Sequence, residues 1–244
     1  MDVVVEVSGI SKRFGTVEAV RSVSFQVRRG EIFCLVGPNG AGKTTTLRII
    51  VGLIRPDSGF VRVFGLDPAS MSVSERRRLS YLPEDAGVYR NLSGLEYLEF
   101  VAGIYARSRD DIQRIVKRGV EISGLGDRVR DKASSYSKGM KRRLALAAAL
   151  MVEPELTVLD EPTAGLDVSH ALAVRNMIKD YIRSSGASAI VSSHNMLEVE
   201  YLCDRVALIS SGVIVEEGAP GELKAKHNAV NLEEVFVRVV GGAI

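Results

Sequence analysis

The 244 residues, 46% apolar and 25% charged, suffice for one large domain or two small ones around a real core, and exclude disorder, a collagen-like repeat or a small disulfide-stapled scaffold. With 32 basic and 30 acidic residues the formal net charge is only +2, too weak a field to draw in nucleic acid or anionic lipid, so no nucleic-acid partner is expected and any anion binding must be local. Cys34 and Cys203 lie far apart inside apolar stretches, and the three histidines show no ligand spacing. The cysteines therefore read as two small buried hydrophobes, which suits a reducing cytoplasm. No apolar run reaches the ~18 residues a membrane span needs, and the start Met1-Asp2 lacks the basic region of a signal peptide. Work at a membrane would require a partner to hold the chain there.

In chain order, short β-like runs at residues 3–7, 24–27 and 60–64 suggest an antiparallel sheet. Residues 31–36 differ: nearly all apolar and followed by glycine, they look like a buried strand of a parallel sheet. From about residue 84 to 153 the pattern turns helical. Asp110 or Asp111 is expected to cap a helix with Ile112, Ile115, Val116 and Val120 on one face and Gly124 as its stop, and residues 141–151 form a second, alanine- and leucine-rich helix. A strand at 156–159, a helix capped by Asp167 with Ala171, Val174, Ile178 and Ile182 inward, and a strand at 187–193 make a parallel crossover. Residues 205–209 and 213–216 close as a hairpin around Gly212. No internal repeat or low-complexity segment is present.

Gly37-Pro38-Asn39-Gly40-Ala41-Gly42-Lys43-Thr44 directly follows the buried strand and opens a helical run at 45–53. That is the context a phosphate-cradling loop requires: glycines let the backbone curl so that successive N–H groups face phosphate, and the helix N-terminus adds its positive dipole end. Lys43 is placed to reach the β- and γ-phosphates of a nucleoside triphosphate, and the Thr44 hydroxyl to ligate Mg²⁺.

The strand Leu156-Thr157-Val158-Leu159 delivers Asp160 and Glu161 to the carboxyl edge of the sheet, where ligands bind. Asp160 suits Mg²⁺; Glu161 can orient or deprotonate an attacking water. Ser192-Ser193-His194 ends the next strand, so His194 should share that edge and contact the γ-phosphate.

With these motifs in this order, residues 3–220 resemble the ATP-binding subunits of ABC (ATP-binding cassette) transporters. The family's signature segment, commonly Leu-Ser-Gly-Gly-Gln, is similar to Tyr136-Ser137-Lys138-Gly139-Met140; Ser137 and Gly139 match, and Lys138 and Met140 depart. The resemblance implies that Ser137 and Gly139 contact ATP in trans, completing the site of a second subunit. Asp167, in Ala164-Gly165-Leu166-Asp167, falls where the family has a subunit-communicating loop, and also reads as a helix cap. Phe14 matches the aromatic residue that stacks on adenine, while Thr45 completes the ATP-binding set that runs from Gly37 to Thr44. Glu84, in Tyr81-Leu82-Pro83-Glu84, stands where the family most often has a glutamine that contacts Mg²⁺ or the attacking water. A carboxylate there adds charge beside Asp160, Glu161 and a triphosphate. Tyr89, Leu92, Leu95, Tyr97 and Phe100 crowd the junction that borders the family's groove for a membrane-subunit helix.

The resemblance implies an α/β P-loop ATPase with a parallel core sheet, an antiparallel β subdomain and an inserted helical subdomain at about 85–153. The ATP-binding domain is expected at 1–220 and a short helical C-terminal extension at 221–244. ATP and Mg²⁺ are the expected cofactors. The expected partners are a second ATP-binding subunit, identical in the simplest case, and integral membrane subunits, with the chain peripheral on the inner face of the membrane. The signature variant and short tail look most like exporter ATPases of drug and small-solute systems. The alternative is an ATP-gated clamp acting on ribosomes or DNA, which normally carries two such heads or a coiled-coil insertion.

Overall fold

The computed structural model of the protein describes residues 2–241; Met1 and residues 242–244, the outer ends of the two expected units, lie outside the described residues. Strands β1 (Val3–Phe14) and β2 (Val17–Arg28) form an antiparallel hairpin, longer than the short runs expected because the pairing resumes after register shifts at Val7/Ile10 and Ile10/Lys12. Then come β3 (Ile32–Val36), buried at every position, helix α1 (Lys43–Ile50) and β4 (Ser58–Val63). β4 returns to the hairpin, so the first sheet has the order β2-β1-β4. Helix α1 begins at Lys43 and ends three residues before the expected Leu53, since the chain turns at Val51-Gly52 with Gly52 at φ +74°. A single turn, α2 (Val73–Arg76), closed by a Ser72/Glu75 capping box, precedes β5 (Leu79–Leu82).

Helices α3 (Gly94–Tyr105), α4 (Arg109–Ser123) and α5 (Lys138–Leu150) follow. They share a core of Leu98, Ala102, Ile115, Val116, Leu144 and Met151, separate from the two cores beside the main sheet. Two expected boundaries are corrected here. Ser108, extended at φ −151°, caps α4 by accepting from the Asp111 amide at 3.2 Å; Asp110 and Asp111 lie in the first turn, where their charge suits the helix dipole. Helix α5 starts at Lys138 rather than 141, capped by Ser137, whose hydroxyl accepts from the Met140 amide at 3.2 Å.

The rest of the chain is β6 (Leu156–Asp160), α6 (Val168–Ser185), β7 (Ser188–Ser193), α7 (Met196–Leu202), β8 (Arg205–Ser210), β9 (Val213–Gly218), α8 (Pro220–Lys226) and α9 (Leu232–Gly241). The second sheet has the order β5-β6-β7-β3-β8-β9, parallel except for β9. Along β3 the alternation of side chains feeds two cores: Ile32, Cys34 and Val36 face α5, α6 and α7, while Phe33 and Leu35 face the antiparallel sheet and α1. Both faces are covered, which is why this strand reads as one apolar run. On α6 the inward residues are Ala171, Val174, Ile178 and Ile182, all buried, and on α9 Leu232 and Val235 are buried against the same core.

The expectation of two separate buried thiols is corrected. β3 and the residue after α7 run side by side, so that Cys34 and Cys203 have Cα atoms 6.0 Å apart and are joined as a disulfide across 169 residues of chain. Neither cysteine's local sequence carries a trace of the other.

Candidate functional site

Because β3, β6 and β7 are parallel, their carboxyl ends coincide. Val36 pairs with Ser193, and Asp160 with Ser192, so the phosphate loop, the acidic pair and the 192–194 segment meet at one sheet edge. The loop is tied to β7 by the Gly37 amide, which donates to the Ser193 carbonyl at 3.2 Å, and closes on itself through the Ala41 amide and the Pro38 carbonyl, also 3.2 Å. Gly42 stands at φ +103°, and a Cβ on it would come within 2.4 Å of the Ala19 carbonyl oxygen; only glycine fits. No side chain caps the first turn of α1, and no acid lies in it, so its amides are available to an anion. The cleft beside the loop has a volume of about 410 Å³, and Ala19, Asn39, Gly40, Lys43, Thr44, Thr45, Glu84 and Glu161 are among its walls.

Lys43 is 5% exposed. Its Nζ donates to the Gly37 carbonyl at 2.7 Å and the Pro38 carbonyl at 3.2 Å, and lies 3.2 Å from Glu161 Oε1. That carboxylate oxygen is buried and makes no hydrogen bond, the ammonium at 3.2 Å being an ion-pair neighbour without hydrogen-bond alignment. Oε2 is engaged: it accepts from the His194 amide at 3.3 Å and lies 2.8 Å from His194 Nδ1. Glu161 adopts φ +46°, a left-handed conformation that is unusual for a residue with a Cβ. It is the turn from β6 through this conformation that swings Glu161 toward Lys43 and His194 while Asp160 stays in the strand.

Asp160, 1% exposed, accepts at Oδ1 from the Ser192 hydroxyl at 2.6 Å and the Thr44 hydroxyl at 3.1 Å; the Tyr81 hydroxyl is 3.5 Å from Oδ2. Burial, and next the charge of Asp160, push the Tyr81 hydroxyl above its ordinary pKa of 10.0. Thr44 and Asp160 together form a hard oxygen donor pair at 3.1 Å, close to the ~2.9 Å between adjacent ligands of an octahedral Mg²⁺ with bonds of about 2.0–2.1 Å. The residues present therefore fit that ion.

The remaining candidates divide into two groups. Glu84 and Thr45 line the cleft. Phe14 ends β1, half exposed, with its register partner Val17 on the cleft wall. Ser137, Gly139 and Asp167 are not among the residues lining that cleft; they gather elsewhere. Asp167 caps α6, accepting from the His170 amide at 2.9 Å and the Ser169 hydroxyl at 2.8 Å, with His170 Nδ1 at 2.7 Å. These bonds, the His170 amide first, hold its carboxyl well below the usual range. The His170 ring lies against α5, where a Cβ on Gly139 would meet it at 2.0 Å, so glycine is needed there for close approach.

Two residues of the site escaped the sequence reading. Ser192 joins the acidic pair: its hydroxyl donates to Asp160 and accepts from the Glu161 amide at 2.9 Å. A hydroxyl ending a buried strand next to the acid-bearing one was the available signal. Arg142, 8% exposed, sits behind the acids with hydrogen bonds to the Asp160, Glu161 and Pro162 carbonyls; a charged residue on the inward face of an apolar helix was its trace.

The doubly covered parallel sheet, with a phosphate loop, an oxygen pair for a cation and a poised carboxylate at one edge, defines a P-loop nucleotide-hydrolysing domain. The ABC transporter family profile matches residues 20–164, and the chain belongs to that family as an ATP-binding, ATP-hydrolysing subunit. It is 35% identical over 218 residues to the linearmycin resistance ATP-binding protein LnrL of Bacillus subtilis, covering 89% of this chain and 70% of that protein. It is 38% identical over 223 residues to a fluoroquinolones export ATP-binding protein of Mycobacterium tuberculosis, covering 91% and 72%, and 38% identical over 229 residues to the daunorubicin/doxorubicin resistance ATP-binding protein DrrA of Streptomyces peucetius, covering 91% and 67%. Among solved structures, the ATP-binding subunit of an ABC transporter superposes with a TM-score of 0.84 at 28% identity over 97% of this chain and 99% of that one.

Proposed function

We propose that this chain is the ATPase of an export system for drugs or other small solutes, working as a pair of ATP-binding subunits, in the simplest case two copies of itself, docked peripherally on membrane subunits at the inner face of the membrane. Residues 1–220 form the ATP-binding domain, with the helical part at about 85–153, and residues 221–244 an extension. The observation that carries the hydrolytic reading is Glu161 Oε1, buried, without a hydrogen bond and 3.2 Å from Lys43 Nζ. Loop amides from Gly37 to Thr45 and the Lys43 ammonium bind the phosphates, Lys43 leaving its loop carbonyls for the stronger acceptor. Phe14 stacks on adenine. Thr44 and Asp160, together with Glu84, would hold Mg²⁺, which when bound would offset the negative charge of the phosphates. Glu161 takes the proton of the attacking water; His194 orients Glu161 through Oε2 and lies toward the γ-phosphate. Ser137 and Gly139 at the start of α5, and Asp167, act on the ATP of the partner subunit, in keeping with their gathering away from the chain's own cleft. The drug-export reading follows the relatives named above; no helix among the described residues is long and apolar enough to cross a membrane.

Glu161→Gln tests the reading. The amide keeps the shape but cannot accept the proton, so ATP binding should persist, turnover should fall by at least about a hundredfold, and a dimer should accumulate in Mg-ATP on size-exclusion chromatography. Undiminished turnover removes Glu161 as the base.

A further inference from the structure

Arg142 lies on the second turn of α5, five positions after Ser137, and its guanidinium is spent on five backbone carbonyls. Nε donates to Pro162 at 2.9 Å, Nη2 to Asp160 at 2.9 Å and Glu161 at 3.0 Å, and Nη1 to Pro83 at 3.0 Å and Glu84 at 3.2 Å. One planar group thus grips three consecutive carbonyls around the acidic pair and two on the loop that carries Glu84. A buried cation held by carbonyl dipoles is costly to keep, and its burial weakens its hold on the proton, while the charges of Asp160, Glu84 and Glu161 act the other way.

Two features explain why the cation is there. Glu161 stands at φ +46°, a conformation that persists only where the surroundings over-determine it; the carbonyls before, at and after it are all held by Arg142. In addition, three carboxylates stand near one another, Glu161 and Glu84 on the cleft wall and Asp160 against Thr44; Lys43 supplies one charge from the loop side and Arg142 a second from behind.

We propose that Arg142 is a positioning residue for ATP hydrolysis: it holds the left-handed turn at Glu161 and the Glu84 loop in one frame, and its fixed charge permits a glutamate at position 84. This rests on Glu161 being the base. It also ties the helix that begins at Ser137 to the chain's own hydrolytic carboxylate, so a tilt of that helix would be felt at Glu161.

The test is steady-state Mg-ATPase activity of the full chain, with nucleotide affinity by calorimetry and folded fraction by circular dichroism, for wild type, Arg142→Gln, Arg142→Lys and Glu84→Gln/Arg142→Gln. Arg142→Gln should lower kcat by about tenfold to a hundredfold and leave KM within about threefold, since the phosphate loop is untouched. Arg142→Lys keeps the charge but not the five-donor fork and should fall between. Removing the unbalanced carboxylate in the double variant should restore at least about threefold of kcat over Arg142→Gln. A wild-type kcat in folded Arg142→Gln, or a loss matching only the unfolded fraction, overturns the proposal; a double variant no faster than Arg142→Gln overturns the charge role. If Arg142→Gln does not fold, Arg142→Lys decides, and wild-type kcat there overturns the clamp. A wild type without ATPase activity overturns the proposed function and Arg142's role with it, whereas an active wild type matched by Arg142→Gln overturns Arg142 alone.

Discussion

Lys43 has exchanged most of its solvent for two carbonyl acceptors and an ion-pair neighbour in Glu161, so its charge is buried against the loop. Lys43→Ala deletes the one full charge on the phosphate side of the cleft, and ATP affinity by calorimetry should fall by at least about a hundredfold; an unchanged affinity would remove the loop from nucleotide binding. Glu84 stands where the resemblance places a glutamine. It lines the cleft with Glu161, and a bound cation would offset its repulsion with a triphosphate. Glu84→Gln should therefore flatten the Mg²⁺ dependence of ATP affinity while leaving hydrolysis measurable, because an amide oxygen still ligates or positions water. Superimposable Mg²⁺ titrations of the two proteins would show that the charge at position 84 is not felt by the nucleotide.

At the scale of elements, helix starts do double duty. The N-caps of α5 and α6 are Ser137 and Asp167, both also candidates for contact across a dimer. Asp167 engages the His170 amide, the Ser169 hydroxyl and the His170 ring as an ionised carboxylate, which depresses its pKa. A carboxyl lowered in the folded state contributes stability above its unfolded pKa and loses it as pH falls through the folded value. Asp167→Ala should accordingly lower the urea midpoint at pH 7, and the gap from wild type should shrink as pH drops below the ordinary 3.8; equal midpoints at pH 7 would show that the cap contributes nothing. The elements also show what local pattern conveys. The inward residues of α6 and the β8–β9 turn at Ser211-Gly212, with φ +48° and +82°, were readable because period and turn chemistry are local. The start of α4 is not fixed by local pattern because three capping residues lie within four positions, Ser108, Asp110 and Asp111, and only the backbone geometry chooses among them.

At the scale of the whole molecule, the signature segment and the phosphate loop occupy different places on one chain, and a composite site requires two. Ser137→Arg puts a bulky cation at the start of α5 while leaving the chain's own Lys43 and Thr44 untouched. ATP binding should survive within about threefold and hydrolysis should fall by at least about tenfold, and the wild-type rate per subunit should rise with protein concentration. Hydrolysis undiminished in the variant and independent of concentration would mean that each chain works alone.

The sequence by itself determined the parallel core sheet, the phosphate loop, the acidic pair at a strand end and the family, because each is written in a few consecutive residues or in a short period. Tertiary structure alone decided the rest. Cys34 met Cys203 across 169 residues, Ser192 joined Asp160 to the Glu161 amide, Glu161 took its left-handed turn, and Arg142 gathered carbonyls from two distant loops. The physical reason is common to all four. A hydrogen bond or contact between residues distant in sequence depends on which residues are brought opposite each other, and that is set by how the sheet and its helices pack as a whole, whereas periodicity and motif spacing depend only on neighbours along the chain.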